Sequence, residues 1–307
     1  NSIKIVKHVI TGGAGFIGSN LVDELVSQSH EVHVIDNFSF GKLENCNKKA
    51  HYHNVDLSQI SNFDQIKNIC RNADSVFHLA CIARVQPSIE NPIEYEMNNT
   101  IGSVNILKAS VQSNVRRFIY SSSSSVYGNQ INLPLNEDFK TNPLSPYGAQ
   151  KLYGEILCKT FSKVYGLETV CLRYFNVYGE KQNIDGAYAL VIGIFLNQRF
   201  NKKPLTVRGD GSQRRDFTYV GDVVKANILA SKSKDVGAGE IINIGYGKNK
   251  SINEIASYIG GSIKYIEPVL EPFETLADNL KAKKLLNWEP KQDVKSWIKD
   301  YIKNNYE

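Results

Sequence analysis

Through the first 175 residues, short runs of β-branched and aromatic residues alternate with stretches whose apolar positions recur at helical spacing. Residues 5–10 read as a buried strand, followed by a glycine turn and an amphipathic stretch at 19–27. Glu31–Asp36 is a second strand, in which Val32, Val34 and Ile35 supply the β-branched character. Shorter strands are expected at 51–55, 75–79, 117–121 and 168–174, and helices at 63–71, 92–112 and 146–164. This alternation predicts a doubly wound parallel α/β sheet with helices on both faces. Ligands on such sheets bind at the carboxyl ends of the strands. Beyond residue 175 the rhythm changes. Turn-rich segments at 178–186 and 201–215 alternate with helical patterns at 188–198, 222–230 and 252–258. The tail is helical at 280–286 and 293–302, with Pro290 as the break between them. A smaller, discontinuous C-terminal domain packed over the first follows from this.

Composition narrows the class. The chain has 307 residues, 42% of them hydrophobic, which is material for a large core and a companion domain. Charged residues make up 22%, which excludes global disorder. The longest apolar run, 189–196, is broken by Gly193 and falls far short of the roughly 18 residues of a membrane span. Net charge is +5 with no long Lys/Arg tract, which favours an anionic ligand and argues against nucleic acid. Five scattered cysteines without a CxxC point to reduced thiols, hence a soluble, cytoplasmic protein with no membrane partner. The six histidines form no HExxH or Cys/His cluster, so no metal site is expected.

Residues 11–18, TGGAGFIG, place Gly12, Gly15 and Gly18 between a strand and a helix. Such positions allow a tight turn and let the backbone approach a pyrophosphate resting on the helix N-terminus. Alone, the octad is equally an ordinary strand–helix turn. Asp36, at the end of the next strand and 18 residues beyond Gly18, changes that balance. A carboxylate there accepts from both ribose hydroxyls and repels a 2′-phosphate, which favours NAD over NADP. A second constellation is Tyr147 with Lys151, an i, i+4 pair on one helix face. An ammonium beside a phenol lowers the tyrosine pKa and makes a general base usable near neutral pH. One crossover upstream, a strand ends in five serines, 121–125, and a hydroxyl there can bond the substrate oxygen that the tyrosine deprotonates.

Taken in order, these motifs resemble the extended short-chain dehydrogenase/reductase family, specifically its NAD-dependent nucleotide-sugar epimerases and dehydratases. TGGAGFIG resembles the family's glycine motif, and His78-Leu79-Ala80-Cys81 its HLAA strand end, with Cys81 in place of an alanine. Asn99-Thr100-Ile101-Gly102, SSSSSVYG, SPYGAQK, LRYFNVYG and GDGSQRRDFTYVGD follow in family order over nearly the whole chain. The resemblance implies a Rossmann domain at 1–175 with a return segment at about 217–245. It implies a nucleotide-sugar-binding domain at 176–216 and 246–307. NAD would be held by Gly12, Gly15, Phe16, Ile17 and Gly18 in the turn, and by Asp36 and Asn37 after the second strand. Asp56 and Leu57 would touch the adenine, with Leu79, Ala80, Asn99, Tyr147, Lys151 and Tyr174 completing the cofactor set. Asn99 matches an asparagine that supports the active-site backbone. Ser123, Tyr147 and Lys151 match the catalytic serine, the base and the ribose-binding lysine, with Ser124 left as the alternative by the uniform run. Ser124, Asn176, Val191, Arg215 and Thr275 match substrate-binding positions, and Asp222 a structural acid. One departure is Pro268, where the family often has an arginine on the diphosphate; Arg208 and Arg214 are the candidates to replace it.

The resemblance leaves several reactions open. Ser124-Ser125 stand where the family's dehydratases carry an acidic pair, which favours 4-epimerisation through a transient 4-keto sugar. Thr275 stands where a bulky tyrosine excludes an N-acetyl group, so UDP-GlcNAc and UDP-GalNAc are expected substrates, with UDP-glucose and UDP-galactose also accepted. Gly193, where such relatives usually have proline, is a gap in the analogy. The alternatives are a UDP-glucuronate epimerase or decarboxylase, for which Arg84 is the nearby cation, and a catalytically inert NAD-binding regulatory protein. The segment 92–112 and the Tyr147 helix resemble a four-helix dimer interface, with Val104, Leu107, Val111, Leu152 and Ile156 as its apolar positions, so a homodimer is expected.

Overall fold

The computed structural model describes residues 5–306. Seven strands form its central sheet: β1 (Lys7–Thr11), β2 (Glu31–Asp36), β3 (His51–Asn54), β4 (Ala73–His78), β5 (Arg117–Ser123), β6 (Glu168–Tyr174) and β7 (Ala238–Ile244). They lie in the order β7-β6-β5-β4-β1-β2-β3, and every neighbouring pair is parallel. The chain runs outward from β1 to β3 and then returns to β1's other side as β4. That reversal opens a crevice at the carboxyl ends of β1 and β4.

Adjacent residues on each strand feed opposite cores, which is why the strands read as nearly continuous apolar runs. Ile10, Val34, Phe77 and Ile119 face one side, under α1 (Phe16–Ser27). Val9, Ile35, Val76 and Phe118 face the other, under α2 (Phe63–Cys70) and the helices that follow β4. Those helices are α3 (Val85–Glu90), α4 (Pro92–Glu96), α5 (Gly102–Gln112) and, after β5, α6 (Pro146–Tyr165). A third apolar cluster joins α7 (Val191–Phe200), α9 (Ile252–Ile259) and α11 (Val294–Tyr306). Between them in sequence come α8 (Val220–Lys232), which packs on α1, and α10 (Leu280–Leu286).

The helix expected at 92–112 is continuous, α4 running into α5 through a π turn at Met97–Ile101. Two elements differ from the sequence expectation. Helix α3 lies in a segment with no helical periodicity to announce it. Strand β5 runs two residues further than expected, to Ser123, because its serines pair with β6 through Ser123↔Tyr174. The apolar face assigned to an interface also needs correcting. Leu107 is fully buried against the sheet, while Ile156 is 55% exposed.

Helix α6 is anchored by charge as well as by apolar packing. Glu155 and Arg173, 1% and 2% exposed, form a bidentate ion pair at 2.7 and 2.8 Å. Ser122 Oγ donates to the same carboxylate at 2.6 Å, and the Tyr127 ring lies 4.6 Å from the guanidinium. The pair therefore joins α6 to the ends of both β5 and β6. On the other side of the crevice, a chain of buried polar groups ties β1 to β4 and α5. Thr11 Oγ1 accepts from the Leu79 and Ala80 amides, so its proton goes to His78 Nδ1 at 2.6 Å. His78 Nε2 then donates to Ser103 Oγ, which donates to the Asn99 carbonyl. Full burial holds the His78 imidazole neutral, with its pKa lowered to about 3.

Two outcomes follow for stability. Glu155→Ala or Arg173→Leu leaves a buried charge without its partner and should destabilise the protein by about 3–5 kcal/mol in urea unfolding. Neither change should be rescued by salt, since the pair is out of solvent. His78 binds fewer protons folded than unfolded between about 3 and 6.5. Its contribution is therefore intact above pH 6.5 and declines as pH falls through that window. The urea midpoint should fall on acidification more steeply for the wild type than for His78→Gln.

Candidate active site

The crevice widens into a cleft of about 890 Å³ between the strand ends and the segments after residue 175. One end is built by the glycine turn. Gly12 has φ +72°, and a Cβ on Gly18 would lie 2.2 Å from the Gly12 carbonyl, so helix α1 starts directly against the end of β1. Gly15 is the residue before α1 and offers no capping side chain. The first-turn amides of Phe16, Ile17 and Gly18 are thus left for a ligand, and all three residues line the cleft. Asp36 is buried at the end of β2 and accepts from the Ala14 and Phe38 amides at 3.0 and 2.8 Å. Those two bonds aim the carboxylate into the cleft while leaving further lone pairs for a diol. Helix N-terminus, glycine turn and aimed carboxylate together fit a dinucleotide. Asn37, Asp56, Leu57, Leu79, Ala80 and Tyr174 line the same end.

Deeper in, α6 presents Tyr147 and Lys151. The helix starts where it does because Ser145 caps it, its Oγ accepting from the Gly148 amide at 3.1 Å, with Pro146 as the first helical residue. Helix α3 adds a second restraint, since the Tyr147 amide donates to Ser88 Oγ at 3.2 Å. Lys151 is 4% exposed, and its Nζ donates to the Ser121 carbonyl at 2.7 Å. Tyr174 Oη contacts Ser121 Oγ at 2.8 Å, and Ser122 is committed to Glu155. The first two serines of the run are therefore structural, and Ser123 is the first one free to face Tyr147.

Several groups act on the Tyr147 phenol. Burial pushes the phenol well above the ordinary tyrosine value, and Cys81 adds to the rise. The groups that pull it down are Ser123, through hydrogen bonding, and the Arg84 guanidinium. The Lys151 ammonium donates to the Ser121 carbonyl and lies 5.7 Å from the Tyr147 ring centre, a positive charge on the same side of the phenol.

Ser124, Asn176, Val191, Arg215 and Thr275 line the far end of the cleft. Arg215 pairs with Glu271 at 2.9 Å and donates to the Phe273 carbonyl, a partnership between distant segments that no spacing announces. Of the two arginines considered in place of Pro268, Arg208 lines the cleft. Arg214 does not; it is held by Asn249 and Glu254. Thr275 is 8% exposed and sits in a segment tied down by buried Asp216, which accepts from the Tyr246, Gly247 and Ala277 amides. Burial pushes Asp216 up to about 6 against those three donors. Asp222 accepts from the Lys291 and Gln292 amides, away from the cleft.

Asn99 is buried and not among the residues that line the cleft. Its side chain exchanges two hydrogen bonds with Ile82 and donates one to Gln150. It braces the backbone that carries residues 82–84.

Asp36→Ala should weaken NAD binding about tenfold or more, the scale of a lost charged hydrogen bond. Fluorescence titration checks this, and wild-type affinity in the variant would remove Asp36 from the ribose.

A family model described as the NAD dependent epimerase/dehydratase family matches residues 8–245. The UDP-glucuronate 4-epimerase of Thermodesulfobacterium geofontis is 35% identical over 322 residues, spanning 98% of this chain and 97% of the relative. Among solved structures, the UDP-N-acetylglucosamine 4-epimerase of Methanobrevibacter ruminantium M1, in complex with UDP-N-acetylmuramic acid, superposes with a TM-score of 0.91. It is 36% identical, over 98% of both chains. The UDP-glucose 4-epimerase of Thermotoga maritima, with UDP-glucose, gives 0.91 at 34% identity, over 98% of this chain and 100% of that one. With the family match running from β1 to the edge strand β7, the chain belongs to the NAD dependent epimerase/dehydratase family, and its cofactor is NAD.

Proposed function

We propose that the protein is a UDP-hexose 4-epimerase with room for an N-acetyl group at C2 of the sugar. The observation that carries the reading is the meeting of Ser123, Tyr147 and Lys151 in the cleft that also holds the glycine turn and Asp36. The reaction rests on what accompanies them. Ser124 and Ser125 follow Ser123 with no carboxylate to assist loss of water. Bound NAD supplies the two-electron acceptor and donor that oxidation and re-reduction at C4 require.

The chain's own groups do the rest. Tyr147 Oη takes the proton of the 4-hydroxyl, and Ser123 Oγ donates to the C4 oxygen as it becomes a carbonyl. Lys151, fixed by the Ser121 carbonyl, is placed for the ribose beside the tyrosine. Once the 4-keto sugar has turned in the cleft, so that C4 presents its opposite face for re-reduction, Tyr147 returns the proton to the C4 oxygen. Arg208 and Arg215 are the cations available to the diphosphate, so Arg215 exchanges Glu271 for phosphate when the nucleotide sugar enters.

Thr275 supports the C2 assignment. Its small side chain lines the cleft and its Oγ1 faces the Asp216 amide at 3.4 Å, which leaves a hydroxyl beside the space an acetamide would fill. A homodimer is supported by Ile93, Met97, Tyr153 and Ile156, exposed apolar side chains on elements that pack together.

Tyr147→Phe should lower 4-epimerisation by several orders of magnitude while NAD still binds; unchanged turnover, followed by NMR at C4, would refute the mechanism. Thr275→Tyr should depress activity on UDP-GlcNAc about tenfold relative to UDP-glucose, because a ring cannot share the pocket with an acetamide. If that variant keeps the wild-type ratio, Thr275 does not read C2.

A further inference from the structure

Two aromatic rings on opposite walls of the cleft meet across it, and the proposed reaction gives neither a role. Phe40 belongs to the loop that follows Asp36, and Tyr188 to the segment that leads into helix α7; both line the cleft. Their ring centres are 4.7 Å apart at an interplanar angle of 61°, the edge-to-face geometry that aromatic pairs favour. Neither ring belongs to the apolar clusters that build the fold, and Phe40 is 43% exposed. The contact is made loop to loop, outside the core.

Each loop is fastened at its base. On the cofactor side, the Ala14 carbonyl of the glycine turn accepts from the Lys42 amide at 3.0 Å and from Asn45 Nδ2 at 3.1 Å, while Asp36 holds the Phe38 amide. Phe40 lies between these attachments. On the other side, the Glu180 carboxylate accepts from Tyr219 Oη at 2.9 Å and Trp297 Nε1 at 2.8 Å, and its carbonyl accepts from Asn20 of α1. The Asn183 carbonyl then packs on α7 at Gly193, where a Cβ would run into it. A turn follows, closed by the Ala189 amide on the Gly186 carbonyl at 3.3 Å, and it carries Tyr188. The Tyr188 hydroxyl lies beside that of Tyr95, which donates to the Ala83 carbonyl at 2.7 Å. Ala83 sits between Ile82, pinned by Asn99, and Arg84, whose φ of +93° is rarely adopted by a residue with a side chain. Tyr188 therefore reaches Phe40 from a rigid wall.

We propose that Phe40 and Tyr188 form a latch over the bound dinucleotide, and that NAD leaves the protein only when the two rings part. A reaction that takes a hydride from a sugar and returns it to the same sugar needs such a restraint, because a reduced cofactor lost in mid-cycle strands the 4-keto sugar. That purpose rests on the proposed epimerisation. The latch itself rests only on the cofactor, which is NAD.

The test reads NAD release with no sugar nucleotide present. NAD-loaded protein is mixed with an excess of etheno-NAD, a fluorescent analogue, and the exchange rate is followed by fluorescence. Phe40→Ala and Tyr188→Ala should each speed exchange roughly fivefold or more, the scale of a lost aromatic pair. The double variant should be no faster than the faster single, since either change alone opens the latch. Phe40→Tyr and Tyr188→Phe, which keep both rings, should exchange within about twofold of the wild type. Wild-type rates in both alanine variants overturn the inference. So do single effects that multiply in the double variant, which would mean that each ring acts on NAD alone. Because no sugar takes part, the readout is separate from the reaction. If the rates change as stated while the unmutated protein epimerises no UDP-sugar, the proposed reaction fails and the latch stands. If UDP-GlcNAc is epimerised and the rates are unmoved, the reverse holds.

Discussion

The buried ion pair between Glu155 and Arg173 fixes helix α6 against the ends of β5 and β6, and the reactive end of the cleft depends on that contact. Lys151 lies one helical turn before Glu155 and Tyr147 one turn before that, so the three side chains descend a single face toward the sheet. Because the carboxylate also receives Ser122 Oγ, the helix cannot slide along the strand without breaking a charged bond in a dry interior. The orientation of Ser123 follows, since it is the next residue after one that is locked. Apolar packing alone would hold α6 to the sheet, but it is non-directional and would tolerate a small axial shift. In the proposed reaction a base and a hydroxyl address one oxygen, and that arrangement tolerates much less.

The cofactor end is held by a different device. There the backbone itself is the binding surface, and the Thr11–His78–Ser103–Asn99 chain keeps β1, β4 and α5 in register. Every proton in that chain has one place to be, and a neutral histidine is what makes the sequence of donors and acceptors close. Its last member, Asn99, also clamps Ile82 and so reaches the strained Arg84. The glycine-turn end of the cleft and the wall at Arg84 thus share one buried polar network.

Much of this was legible in the residues. The strand–helix alternation, the glycine turn with Asp36, and Tyr147 with Lys151 are local patterns, and local patterns survive in a one-dimensional string. The two-faced core came with them, because a parallel sheet demands strands apolar on both sides, whereas the strand order did not. What was not legible involves pairs with no fixed offset. Glu155 with Arg173, Arg215 with Glu271, and Asp216 with the Ala277 amide join segments whose separation obeys no period. The conformation of Arg84 was hidden for another reason, since only glycine advertises positive φ and an arginine there is imposed by its neighbours. The i, i+4 spacing placed the Lys151 ammonium beside the Tyr147 ring, but the burial that raises the phenol pKa and the carbonyl that anchors the ammonium belong to the tertiary fold.

The fastening of residues 275–277 to Asp216 has a consequence for how the protein is made. The glycine-turn end of the cleft is complete in sequence by Tyr174, whereas the wall that carries Thr275 waits for Asp216, for the amides at 246–247, and for residues 275–277. A chain emerging from the ribosome, folding from its N-terminus, therefore passes through a stage in which the nucleotide-cofactor half can assemble while the other half has no wall to close against. Until residues 246–277 emerge, Asp216 lacks the three amides it accepts from in the folded protein. That segment acts on folding as a clasp, drawing the second wall of the cleft over the ends of the strands.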